Sequence, residues 1–197
     1  REKYGYNDTI WADGENNMEF RARYEADILT YVLPATVETI GELAFYDLPL
    51  AALYLPEGLK RIETMAIMRN WWMTDIYSYE SSTAGDETGF SAIAKLEGIY
   101  RSLPEGLETI GVDAFNYASS LTYLYIPESI KTIGSYSFCY CVEPADNKGN
   151  YKGLLEVDVA LSQADLTALK PGEHWSPEFR DTENRVATIN YSAQRSN

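Results

Sequence analysis

The sequence predicts a repeat solenoid, a right-handed superhelix that is β-rich with short helical turns, of about five coils plus N- and C-terminal caps. Two observations predict it. A proline followed by apolar residues at fixed distances occurs four times, and the first two copies and the last two lie 22 and 23 residues apart. A fixed period of this length is typical of solenoids, because one repeat cannot bury its apolar face alone and packs it against its neighbours.

Each repeat begins with a proline and carries its apolar residues at the same distances from it. The four prolines are Pro34, Pro56, Pro104 and Pro127. Isoleucine follows after six residues, and a small residue and a large apolar one follow after ten and eleven. These positions predict two buried columns through the stack. The first is Ile40, Ile62, Ile110 and Ile133, and the second is Phe45, Ile67, Ile93, Phe115 and Phe138.

The elements of one repeat follow from its residue types. The residues before the proline favour a short strand, and proline marks its end because it cannot donate to a strand ladder. The sequence Val-Glu-Thr-Ile-Gly over 37–41 favours a second short strand through its β-branched residues. Gly41 would then permit the positive φ of a sharp corner. The Ala44-Phe45 pair is expected in a tight helical turn.

The interval between Pro56 and Pro104 is 48 residues, which leaves room for one more coil. We expect a degenerate coil over 81–102, in which Ser82 takes the position of the proline and Ile93 joins the second column. Thr88 then replaces the isoleucine. A surface insertion without a coil is the alternative, since both are common in repeat arrays.

The solenoid is expected over 28–159, with an insertion over 142–153. Its coils are expected near 33–55, 55–80, 81–102, 103–125 and 126–159. Residues 1–27 are either a worn first coil that caps the stack or a hairpin. Residues 160–197 are either a C-terminal cap or part of a further segment, and Ser162-Gln-Ala-Asp165 predicts the start of a helix.

The repeated pattern x-Ile/Leu-Pro-x-x-Val/Leu/Ile-x-x-Ile-Gly-x-x-Ala-Phe, followed by Leu-x-x-Leu-x-Ile-Pro, resembles the BspA-type leucine-rich repeat. The similarity extends over about residues 28–142 and is strongest over 33–55 and 103–141. It implies a leucine-rich-repeat superhelix. It further implies a secreted or surface-anchored protein of the kind found in anaerobic bacteria, and adhesion to host or bacterial proteins. It implies no catalytic residue, since the repeat motif contains none.

Charge and hydropathy restrict the possible partners. The chain has 30 acidic and 16 basic residues and a net charge of -14. Nucleic acid and anionic membranes are therefore excluded as partners, because both require a basic surface. No apolar run approaches the roughly 18 residues that a membrane span needs. The chain begins at Arg1 without an apolar leader, and if the native protein is exported we expect its signal peptide to have been removed or left out of this sequence.

The sequence offers little catalytic or metal-binding chemistry. His174 is the only histidine, and its neighbours Glu173 and Glu178 do not form a recognisable nucleophile and base with it. Cys139 and Cys141 are too close in sequence to bridge each other readily, and no further ligands complete a zinc set. Cys141 is expected at a core position. We therefore expect no enzymatic activity, no cofactor and no metal.

Aromatic residues carry the remaining functional signal, with 16 tyrosines and four tryptophans. Strand alternation predicts that Tyr54, Tyr123 and Tyr125 point outward, while Trp71 and Trp72 lie in an irregular segment. Such residues form protein interfaces and sugar platforms, although cross-strand aromatic pairs also stabilise sheets. We predict a non-enzymatic binding module, secreted or on the cell surface, for an extracellular protein of host or bacterial origin. Glycan binding and a structural spacer without a ligand are the alternatives.

Overall fold

A computed structural model describes residues 29–83, 92–145, 150–178 and 187–195. The strands are β1 (Leu29–Val32), β2 (Thr39–Ile40), β3 (Leu50–Pro56), β4 (Arg61–Ile62), β5 (Asp75–Ser82), β6 (Leu96–Tyr100), β7 (Thr109–Ile110), β8 (Leu124–Ile126), β9 (Thr132–Ile133), β10 (Val142–Pro144), β11 (Tyr151–Gly153), β12 (Glu156–Val159) and β13 (Thr188–Tyr191). The helix α1 is Gln163–Ala168. The two sequence interpretations of residues 1–27 lie outside the described residues.

The first apolar column is formed as predicted. The short strands β2, β4, β7 and β9 make a parallel four-stranded sheet in that order. Its register places the four isoleucines of the column side by side, and all of them are buried. The repeats therefore stack one above another, as expected for a solenoid-like repeat fold. The right-handed sense of the superhelix and the number of its coils stay predictions.

The second apolar column contains four of its five predicted members. Ile67, Phe115 and Phe138 are fully buried, and the rings of Phe115 and Phe138 stack with centroids 5.1 Å apart. Phe45, in the first described repeat, is partly buried against the same core. Ile93 lies elsewhere, in a small cluster with Tyr79.

The prediction of a separate coil over 81–102 is wrong. β4 pairs directly with β7, and the Ile67 N–H donates to the Ala114 carbonyl at 2.9 Å, so no repeat lies between them. Instead, β5 and β6 form an antiparallel hairpin, and Ile93 packs beside it. A gap of two periods fits an insertion as well as an extra coil, because length alone does not specify whether the chain returns to the stack. The alternative of a surface insertion is confirmed.

The hairpin leaves the stack where a proline would otherwise end the strand. β5 pairs parallel with β3, and this register places Tyr79 beside Pro56. Tyrosine retains the N–H that proline lacks, so the strand can continue outward. The Tyr79 hydroxyl donates to the Leu33 carbonyl at 2.5 Å, which ties the hairpin to the first described repeat. The chain returns along β6 and reaches Pro104, where the next repeat begins.

The corners of the repeats do not use glycine for positive φ, contrary to the sequence expectation. Each repeat has two non-glycine residues in the left-handed region, four positions apart. The pairs are Leu43 and Asp47, Met65 and Arg69, Asp113 and Tyr117, and Tyr136 and Tyr140. Gly111 and Gly134 permit close approach between repeats instead, whereas a Cβ on Gly41 would meet nothing within 4 Å. A Cβ on Gly111 would lie 2.5 Å from the Glu63 carbonyl carbon, and one on Gly134 would lie 2.4 Å from the Val112 nitrogen.

The chain beyond residue 153 adds to the end of the stack. β12 pairs parallel with β8 on one side and β13 on the other. The Ser162 hydroxyl accepts from the Asp165 N–H at 3.2 Å, so α1 begins at the predicted cap. Residues 172–178 hydrogen-bond to the last proline repeat as a further repeat would. The Phe138 N–H donates to the Trp175 carbonyl at 3.1 Å, as the Phe115 N–H donates to the Ser137 carbonyl. The predicted insertion over 142–153 contains the β10–β11 hairpin.

Candidate functional site

Tyr54 points away from the main core, as predicted, but neighbouring side chains cover much of its ring. It stacks on Tyr77 of the next strand with ring centroids 4.7 Å apart. It also packs against the cluster of Val32, Tyr79 and Leu96 that the hairpin brings over this face. Burial, followed by Tyr77 and Asp75, raises the pKa of Tyr54. The ring is therefore part of the packing between β3, β5 and the hairpin.

Tyr125 is buried, with only 4% of its surface exposed, so the prediction that it lies on an open face is wrong. Burial raises its pKa to about 12, and the neighbouring carboxylate of Glu105 adds to this. Strand alternation placed the ring correctly opposite the core. No local sequence pattern indicates that other parts of the chain cover that side.

Tyr123 is partly exposed and is held by two neighbours. Its hydroxyl donates to Asp158 Oδ2 at 3.0 Å, and the Arg101 guanidinium lies 5.4 Å from its ring centroid. Arg101 itself pairs with Asp75 at 2.6 Å. The three predicted strand tyrosines therefore do not form one open surface.

An aromatic ladder lies at the corners of the repeats. Tyr117 and Tyr140 stack almost in parallel, with centroids 4.5 Å apart and 3° between their planes. Trp71 continues the ladder, 5.0 Å from the Tyr117 ring. The three side chains are partly exposed and come from three successive repeats. We call Trp71, Tyr117 and Tyr140 the aromatic edge.

The backbone of the corners positions the aromatic edge. Tyr117 and Tyr140 occupy the second left-handed position of their repeats, with φ of 64° and 57°. The Tyr117 N–H donates to the Cys139 carbonyl at 3.1 Å, so one tyrosine lies directly above the other. The Asn70 side-chain amide donates to the Ile67 carbonyl at 2.6 Å and thereby fixes the turn that carries Trp71.

A cation lies at one end of the aromatic edge. The Arg69 guanidinium is 6.0 Å from the Trp71 ring centroid, a distance at which a cation is attracted to an indole face. Its Nη1 donates to the Tyr46 hydroxyl at 3.3 Å. Trp72 is also partly exposed and follows Trp71 in the chain. Arginine and aromatic side chains are the types most enriched where proteins bind each other.

The sequence analysis identified Trp71 and Trp72 but missed Tyr117, Tyr140 and Arg69. A usable signal was present, because these three residues stand two positions after the large apolar residue of their repeats. Strand alternation before the prolines pointed instead to Tyr54, Tyr123 and Tyr125. Aromatic residues at one fixed position of successive repeats must stack, since the repeats themselves stack.

A groove of about 590 Å³ lies between α1 and residues 171–178. Its wall includes His174, whose ring stacks on Tyr136 with centroids 5.4 Å apart and whose Nδ1 contacts the Glu178 carboxylate. His174 has a φ of 53°, like the first left-handed residue of each repeat. Its place in the stack is therefore that of a corner residue.

Both cysteines are buried, and neither takes part in a disulfide bond. Cys141 occupies the predicted core position, and burial raises its pKa. Among the described residues, no group of three or more His, Cys, Asp or Glu side chains could hold a metal ion. The same residues include no helix with the length and apolar character needed to cross a membrane.

Comparison with curated proteins gave no match. The family model of the BspA type leucine rich repeat region matches residues 17–143 in six copies. This range covers well over half of the 197 residues and includes the four proline repeats and the aromatic edge. The chain therefore belongs to the family of BspA type leucine-rich-repeat proteins.

Proposed function

We propose that this chain is a non-enzymatic module that binds an extracellular protein of host or bacterial origin through its aromatic edge. The family is generally non-enzymatic and of a protein-binding or adhesion type, and its members are typically surface or secreted proteins. The observation that carries the proposal is the partly exposed ladder in which Tyr117 and Tyr140 stack, Trp71 lies tilted against Tyr117, and Arg69 lies at the end.

The stacking geometry favours a protein partner over a glycan. A sugar ring binds against an open aromatic face. In the aromatic edge, the facing sides of Tyr117 and Tyr140 contact each other, and one side of the Trp71 ring contacts Tyr117. Rigid rings with polar tips give contact area at low cost in side-chain entropy, as protein interfaces require.

The ladder also suits an extended interface, because its three rings come from three successive repeats. Protein interfaces commonly bury about 800 Å² per partner. Contact along several repeats would therefore distribute the interface over the stack. We propose a secreted or cell-surface location for the chain on the basis of its family.

The test compares binding by the wild-type protein with binding by the Tyr117→Ala, Tyr140→Ala double variant. Both proteins are screened against immobilised extracellular-matrix and bacterial surface proteins and, in parallel, against a glycan array. Loss of a central aromatic anchor costs about 2 kcal/mol or more, so we expect the affinity of the variant to fall at least about 30-fold. Alanine keeps the left-handed backbone at a strain similar to that of tyrosine.

The matched control is Tyr191→Ala, which removes an exposed tyrosine from the far end of the stack. We expect it to retain wild-type affinity. Circular dichroism and thermal melting must show that the double variant is folded before its affinity is interpreted. Unchanged protein binding by a folded double variant would exclude the aromatic edge as the contact surface, and binding to glycans alone would favour the glycan alternative.

A further inference from the structure

A buried serine, Ser78, interrupts an apolar column at the base of the β5–β6 hairpin, and a second buried serine, Ser102, contacts it. The position before the proline of a repeat is apolar at Leu33, Leu55, Leu103 and Ile126. Ser78 stands in register with Leu55, and its hydroxyl lies 3.1 Å from that of Ser102. Both serines are buried. Buried hydroxyls are unfavourable unless they are hydrogen-bonded, so this position requires a polar occupant.

Arg195 is the occupant, although it lies 117 residues from Ser78 in the sequence. Its Nε donates to Ser102 Oγ at 2.9 Å, and its Nη2 contacts both Ser78 Oγ and the Glu57 carboxylate. The guanidinium carbon lies 3.7 Å from the centroid of the Tyr100 ring. Only 14% of the Arg195 side chain is exposed.

The surroundings hold more negative charge than one arginine neutralises. Glu105 Oε1 lies 4.0 Å from Arg195 Nε, and it is the second carboxylate near this group after Glu57. The Glu105 backbone N–H donates to Glu57 Oε2 at 2.6 Å, which fixes the orientation of that carboxylate. We call Glu57, Ser78, Tyr100, Ser102 and Glu105 the arginine pocket.

The arginine pocket matches a guanidinium group rather than an ammonium group. A guanidinium is planar, so one face can lie on the Tyr100 ring while its edge donates to the serines and to Glu57. A lysine ammonium is a compact point charge that lacks this fork. The pocket also lies on a molecule with a net charge of -14, which attracts basic partners.

We propose that the arginine pocket is a binding site for the arginine side chain of a protein partner, and that Arg195 fills it when the partner is absent. The Ala193 N–H donates to the Val159 carbonyl at 3.0 Å and holds the segment that presents Arg195. A partner arginine would displace the Arg195 side chain while this backbone contact stays in place. The site is separate from the aromatic edge, so the two proposals can fail independently.

The test uses the full chain with Arg195→Ala, which empties the pocket, and N-acetyl-arginine amide as the probe. At ten times its Kd, a ligand that binds only the folded state should raise the Tm of the variant by about 3–6 °C. N-acetyl-lysine amide should raise it far less. The wild-type protein should respond weakly, because its own arginine competes. Titration calorimetry on the variant gives the Kd directly.

A second replacement, Glu57→Gln in the Arg195→Ala background, should weaken probe binding at least tenfold by removing the charged acceptor. If Arg195→Ala does not fold, Arg195→Gln, whose shorter and uncharged side chain leaves the guanidinium position free, is used for the same titration. No binding of the arginine probe to either folded variant, or equal binding of the lysine probe, would overturn the proposal.

Sedimentation at several protein concentrations distinguishes two sources of the partner arginine. A wild-type dimer that is lost in Arg195→Ala would assign the arginine to a second copy of this chain. A wild-type monomer, together with probe binding by the variant, would assign it to a different protein.

Discussion

At the residue scale, close contact between neighbouring backbones limits the residue types that a position can hold. The glycines that follow Ile40, Ile110 and Ile133 do not adopt positive φ, whereas the corners place leucine, methionine, aspartate, arginine and tyrosine there. Such residues in the left-handed region cost about 1 kcal/mol or more each, which the hydrogen bonds between repeats must offset. Gly134 therefore reflects the distance between repeats, since a Cβ there would enter the backbone at Val112.

We expect Gly134→Ala to destabilise the protein by about 1–3 kcal/mol, the usual effect of overpacking, which corresponds to roughly 2–12 °C in Tm. Gly58→Ala is the matched control. It makes the same change in chain entropy, but its Cβ would approach no described atom closer than the Ala35 oxygen at 3.9 Å. Thermal unfolding followed by circular dichroism measures both. Equal melting temperatures for the two variants would contradict this account of the glycine.

At the element scale, the β5–β6 hairpin connects parts of the stack that do not otherwise adjoin. Its base lies in the strand that precedes Pro104, and the Tyr79 hydroxyl reaches the Leu33 carbonyl of the first described repeat. Val32 and Tyr54 become buried or partly buried beneath it. The hairpin therefore covers a strand face that would otherwise lie open to solvent.

Tyr79→Phe tests this connection, because it removes one hydroxyl and leaves the ring in place. The Leu33 carbonyl then loses its partner in a buried environment, which costs about 1–3 kcal/mol. We expect a lower Tm and faster amide exchange in β1. Tyr100→Phe is the control, since the Tyr100 hydroxyl donates to Glu80 at an exposed site. A larger effect from Tyr100→Phe would show that the hairpin is not anchored through Tyr79.

The elements that repeat were predicted from the sequence, whereas most contacts that occur once were not. The isoleucine column and most of the second column follow from residue types at fixed spacing, because each repeat imposes the same packing on the next. The start of α1 occurs once but follows from its local capping residue. The burial of Tyr125 and the position of the Arg195 side chain depend on contacts between residues far apart in sequence. No local pattern encodes such contacts. Ser78, a serine in a column of leucines, was the one local sign of them.

At the scale of the whole molecule, long-range contacts add to a stack in which each repeat mainly touches its neighbours. Stacks of repeats gain stability from neighbour interfaces and lose cooperativity when they are long. Here Tyr79 joins Leu33 across 46 residues, and Arg195 joins Glu57 across 138. Both contacts lie on the strand face, so the hairpin and the last described segment hold the repeats together as one unit.

Stability should fall at alkaline pH because burial raises the pKa of several tyrosines. The folded state holds the Tyr125 proton up to about pH 12, whereas the unfolded chain releases it near pH 10. The stabilisation is therefore complete below pH 10 and is lost as the pH rises from 10 to 12. We expect the Tm to drop across this window and to drop less steeply in Tyr125→Phe. Tyr191→Phe, at an exposed position, should retain the wild-type slope, and identical slopes for all three proteins would contradict the prediction.

The hairpin insertion also has an evolutionary and engineering consequence. The chain leaves the stack at Tyr79 and re-enters at Pro104, yet β4 and β7 pair as though nothing had been added. The strand before a repeat's proline is thus a position at which a loop can be inserted or exchanged during evolution without changing the stacking of the repeats. Loops of chosen sequence could be grafted at the corresponding points before Pro56 and Pro127, which would give one variable segment per repeat on a constant frame.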